Sequence, residues 1–115
     1  MRSLRKCYKN PHRGRERELM KGGKRLAYFF PSKEEDDELE KFGHEFYRLP
    51  FERHGTTRWL VFRLEDRHLA DKFIEVHRAY DRGEISLIDA HRRCGELLGY
   101  TSEDIESFAR RLSPL

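Results

Sequence analysis

The sequence predicts an α+β domain: a small three-stranded sheet, entered in the order β-α-β-β, followed by three C-terminal helices. Three observations carry this. Segments such as "RLAYFF" and "RWLVFRL" concentrate aromatic and branched residues of strand character. From Asp66 onward the apolar spacing changes from two to about 3.6 residues. Between these segments, Ser or Thr followed three residues later by an acid marks helix starts, and glycines mark their ends.

The first strand is "RLAYFF", bounded by Pro31 and apolar enough to be buried. A helix follows in "PSKEEDDELEKFG", where Ser32 and Glu35 form a capping box, early acids suit the positive end of the helix dipole, and Gly43 stops the element. Leu39 and Phe42 are its inward residues. Two further strands turn at His54-Gly55. Tyr47, Leu49 and Phe51 alternate on one face of the earlier strand, and Pro50 lacks a ladder donor, which favours an edge position. Leu60, Phe62 and Leu64 share a face of the later strand while Trp59 and Val61 make its reverse apolar too, so it is the expected central strand.

The first C-terminal helix carries Leu69, Phe73, Val76 and Tyr80 as a stripe and ends at Gly83. The next starts at Ser86 with Asp89 and buries Leu87, Ala90, Cys94, Leu97 and Leu98 before Gly99. The last starts at Thr101 with Asp104 and carries Ile105, Phe108 and Leu112, with Pro114 beyond. Residues 86–112 are therefore a helical hairpin at the end of one domain spanning 25–115.

Residues 1–24 are expected to form a basic arm, with a short helix through "RERELM". Ten basic residues stand against two acidic ones up to Arg25, a net +8, while the remainder carries 14 basic and 19 acidic residues, a net −5. A chain of 115 residues fits one domain. With 37% hydrophobic, 39% charged and 12% aromatic residues, its single core must lean on aromatic rings. No apolar run approaches the roughly 20 residues of a membrane span and the basic start lacks an apolar follow-on, so a cytoplasmic protein without membrane contact is expected. Cys7 and Cys94 lie far apart and suggest neither a disulfide framework nor a paired-cysteine zinc site.

The strongest functional signal is the arm. Arg2, Arg5, Lys6, Lys9, Arg13, Arg15, Arg17, Lys21, Lys24 and Arg25 place repeated cations where phosphate contacts would release counterions, with Tyr8 and His12 able to stack on bases. DNA or RNA is the expected partner of a small non-enzymatic accessory protein. The alternative is an adaptor or inhibitor that docks a protein through the corner Leu98-Gly99-Tyr100 or through a sheet edge with Phe46 and Trp59.

The corner itself, "CGELLGYTSEDIESF", resembles DNA-binding helix-turn-helix units over about 20 residues, with Gly95 permitting a close crossing and Gly99 ending a helix. It departs from them where the second helix would enter a groove, since Glu103, Asp104 and Glu106 would meet phosphates. It also resembles the first two helices of ubiquitin-associated domains, whose Met-Gly-Phe or Met-Gly-Tyr turn meets a protein partner, although the third helix of that family is lacking. The acidic run "EEDDELE" is accounted for as a solvated helix face. His44, His54 and His68 sit at element ends. No cofactor, metal or catalytic set is expected, because no spacing unites nucleophile, base and orienting group. A cavity gathering His77, His91 and Cys94 with a carboxylate would reverse that last expectation. Oligomeric state is left open.

Overall fold

In the computed structural model, which describes residues 10–112, the elements run α1 (Glu16–Lys21), β1 (Leu26–Phe29), α2 (Lys33–Leu39), β2 (Tyr47–Arg53), β3 (Thr56–Phe62), a single 3-10 turn (Leu64–Asp66), α3 (Arg67–Asp81), α4 (Leu87–Leu97) and α5 (Ser102–Leu112). The fold is α+β, with an antiparallel sheet ordered β1-β3-β2. β3 is central because both its faces are apolar; Leu60 lies between Tyr28 of β1 and Leu49 of β2. Pro50 falls on the edge strand β2, where its missing N–H costs no ladder bond on the solvent side. His54 and Gly55 both take positive φ, 54° and 78°, the backbone signature of the tightest hairpin turn.

The sheet is the middle of three layers. Leu26, Tyr28, Phe51, Leu60 and Phe62 pack on one side against Ala70 and Phe73 of α3 and Cys94 and Leu98 of the α4 end. On the other side Ala27, Phe29 and Val61 meet Met20 of α1 together with Leu39, Phe42 and Phe46. Burial on both faces is why every residue of β1 is apolar.

Three local expectations change. The arm does not end at residue 24: Glu16 and Met20, one helical turn apart, are buried, so α1 belongs to the packed domain. Phe46 is buried against Phe42 at a ring separation of 5.0 Å, and so offers no exposed sheet edge. The inward stripe of α3 keeps Leu69, Phe73 and Val76 and adds Ala70 and His77, whereas Tyr80 is exposed. The hydrophobic count overlooked a histidine that shares the 3.6-residue face.

The acidic helix is only partly solvated. Ser32 Oγ accepts from Glu35 N at 3.1 Å as the capping box requires. The Glu35 carboxylate, however, accepts from Phe30 N, and buried Glu38 accepts from Arg17 N at the start of α1, where helical N–H groups lack internal partners. At the other end Thr101 Oγ1 caps α5 by accepting from Asp104 N at 3.1 Å. Gly95 permits the crossing of α4 and α5, since a Cβ there would stand 2.8 Å from Ile105 Cγ1.

Candidate functional site: an aromatic cavity beside the helical corner

The two features that the sequence marks out, the basic segment and the glycine corner, bind each other. Lys24 and Glu16 have almost wholly buried side chains, and Lys24 Nζ lies 3.4 Å from Glu16 Oε1. The ammonium also donates to Leu98 O and contacts His12 Nδ1 at 2.8 Å. Tyr100 donates its hydroxyl proton to Asn10 Oδ1 at 2.6 Å, while Asn10 Nδ2 donates to Glu16 Oε2. The His12 ring stands edge-on to Tyr100 at 4.6 Å and Lys24 Nζ is 5.1 Å from the centre of that ring. Burial raises Glu16 to about 7, with Lys24 and Asn10 opposing, and burial lowers Lys24. His12 is lowered to about 4 by burial and then by the Lys24 charge.

The sequence-singled cations are thus dispersed. Lys24 is interior, Arg25 Nε donates to Asp66 Oδ1 at 2.8 Å, Arg13 pairs with Glu34 at 3.1 Å, and Arg15 donates to Pro11 O. Arg17 is half-buried and Lys21 exposed on α1. Arg2, Arg5, Lys6 and Lys9 lie outside the described residues, as do Cys7 and Tyr8. Leu98 and Tyr100 face residues of the chain's own N-terminal segment, and Gly99 holds φ 79° at the turn between them.

Beside this junction a cavity of about 780 Å³ opens between the sheet and α3–α5. It gathers His77, His91 and Cys94, and its wall includes the carboxylates of Glu35 and Asp104. Strand alternation places Tyr28 and Arg58 on this side of the sheet, and helical spacing adds Phe73 and His77 from α3 and His91 and Cys94 from α4. The His77 ring lies 4.8 Å from Phe73 and 5.3 Å from Phe51, and its Nε2 is 3.7 Å from Cys94 Sγ. Burial lowers His77 to about 4, helped by the Arg53 charge, and pushes the Cys94 thiol up to about 12. At neutral pH the contact is therefore a neutral thiol against a neutral imidazole, not a thiolate–imidazolium pair, which disfavours attack by Cys94 itself. Burial likewise raises the Tyr28 hydroxyl.

Sequence reasoning assigned Tyr28, Phe30 and Tyr80 to structural elements only and passed over Arg58, although all four line the cavity. The available signal was Arg58, which shares an alternation with Leu60 and Phe62 and hence stands on a core-facing side of the central strand. Among the described residues no group of three or more His, Cys, Asp or Glu is arranged to hold a metal ion, and no helix is long and apolar enough to cross a membrane.

No family model matches this sequence, and no curated protein matches it. A solved structure does resemble it in fold: the bacterial cysteine methyltransferase effector NleE, with a TM-score of 0.58 and 13% sequence identity, over 94% of this chain and 72% of that one. This likeness corrects the expectation of a protein without enzymatic activity. A chain with no recognisable catalytic spacing is similar in fold to an enzyme, and its histidines and thiol converge on one cavity only after folding.

Proposed function

We propose that this chain is a small-ligand transferase whose ligand occupies the cavity between the sheet and α3–α5. The cavity carries the reading. It is concave, and aromatic and aliphatic side chains share its lining with arginines, histidines and two acids, so that apolar surface and polar groups converge as they do in a ligand site. Its chemistry rests on binding and orientation rather than on a covalent Cys94 intermediate, because the thiol and its imidazole neighbour are both neutral near pH 7. The like-folded protein is named as a cysteine methyltransferase, so transfer of a methyl group to a thiol is the first reaction to assay.

The test supplies a sulfonium donor with an isotopically labelled methyl group and a cysteine-containing peptide. Label is expected in the peptide, with transfer falling at least about tenfold in His77→Phe, which keeps the ring packing but removes Nε2. Absence of label, or equal rates in the two proteins, removes the reading.

A second reading, phosphate gripping by the basic segment, keeps support from Arg15, Arg17 and Lys21, whose side chains have no carboxylate partner among the described residues. Replacing these three by Glu is then expected to abolish low-salt affinity for DNA and RNA. Unchanged affinity in a salt series counts against it.

A further inference from the structure

Four arginines line the cavity, and Arg58 is distinguished among them by its surroundings. Arg53 is held by both oxygens of Asp81 at 2.8 and 3.2 Å, and Arg13 by Glu34. Arg58 has no carboxylate partner among the described residues. Its Nη1 donates to the Tyr28 hydroxyl at 3.2 Å, its guanidinium lies 4.9 Å from the centre of the Phe30 ring, and its Nε is shielded from solvent without a hydrogen-bond partner. A half-buried guanidinium with only a neutral hydroxyl and a ring for company is incompletely compensated, and an anion supplied from outside would complete it.

The apolar surface points to the same place. Phe30, Tyr80 and Leu87, exposed by 42%, 36% and 41%, all border this cavity. Large side chains left in water together at the mouth of a cleft mark a surface that a ligand covers. The wall also holds two acids, Glu35, which accepts from Phe30 N, and Asp104 in the first turn of α5; neither forms an ion pair with Arg58 among the described residues. His77 and Cys94 contribute no charge at neutral pH.

Resting on the reading of the cavity as a ligand site, we infer that it takes an organic anion with a flat apolar body and a single anionic head. The head, a carboxylate or a phosphate, sits on Arg58, and the body lies against Phe30, Tyr80 and Leu87. Arg58 sets the charge of the ligand, and the three exposed side chains set its shape.

The experiment titrates the full chain with the fluorescent probe anilinonaphthalene sulfonate, which joins a flat apolar body to an anion. Benzoate and phenyl phosphate then compete, their relative strengths identifying the head group, with benzyl alcohol as the neutral control. Arg58→Lys is expected to keep affinity within about threefold, and Arg58→Met to lose at least about tenfold while retaining the native near-ultraviolet dichroism. Equal affinity in wild type and Arg58→Met overturns the inference, as does displacement by benzyl alcohol as effective as by the anions. If Arg58→Met does not fold, Leu87→Glu at the mouth is the second test: weakened binding supports the inference and unchanged binding overturns it. Anion binding without methyl transfer leaves this inference standing and removes the transferase reading. Transfer without anion binding does the reverse.

Discussion

Glu16→Leu, which removes both acceptor oxygens facing Lys24 and Asn10, is expected to destabilise the fold by about 3 kcal/mol at about pH 6, whereas Lys24→Met costs only about 1 kcal/mol. The asymmetry follows from what each change leaves behind. Without Glu16, the Lys24 ammonium remains inside with only His12, the Leu98 carbonyl and the Tyr100 ring around it. Without Lys24, Glu16 escapes the penalty by taking up a proton, as its value of about 7 already allows. The pH slopes run in opposite directions. Glu16 is raised when folded, so its contribution is fully present at low pH and is lost as pH rises through about 7; Lys24→Met removes a neighbour that holds this value down, so its deficit deepens toward about pH 8. Lys24 is lowered when folded, so its unpaired charge is most costly at low pH and the deficit of Glu16→Leu shrinks as pH rises. Urea titrations of both variants at the two pH values check this. Parallel pH profiles would show that the pair is not the interior contact described.

Phe73→Ala is expected to cost about 4 kcal/mol, a large share of the total stability of so small a domain. Phe73 is 1% exposed, with ring separations of 4.6 Å to Tyr28, 4.8 Å to His77 and 6.4 Å to Phe51. It joins α3 to both β1 and β2, and no neighbouring side chain can close the void without leaving its own contacts. Tyr80→Ala, seven residues further along the helix at the exposed mouth, is expected to change stability by less than about 1 kcal/mol. Denaturation midpoints with unchanged slopes test both. A Phe73→Ala loss no greater than that of Tyr80→Ala would place the principal packing elsewhere.

The sheet was legible because its signals are local. Pro50 on an edge, the His54-Gly55 turn and the two-sided apolar character of "WLVF" each constrain strand order without knowledge of the rest. The three C-terminal helices were legible through Ser86, Thr101 and Gly99, which act within a few residues of themselves. Inclusion of α1 in the core was obscured because Glu16 and Met20 are the inward pair of a six-residue helix otherwise rich in charge. Composition averages over such a helix and reports a solvated arm. The cavity was harder still, since its walls come from all three strands, four helices and the segment before α1, and no linear spacing encodes that convergence. His77 and Cys94 are 17 positions apart, and the contact between them depends on how α3 and α4 cross.

The bond from Lys24 to the Leu98 carbonyl joins positions 74 apart. During synthesis the early segment must therefore wait, its interior lysine still hydrated, until the α4–α5 hairpin has emerged and turned. Such distant closure is slow compared with helix formation. The Asn10–Tyr100 clasp belongs to the same late event, so until that hairpin arrives the nascent sheet has one flank unsealed.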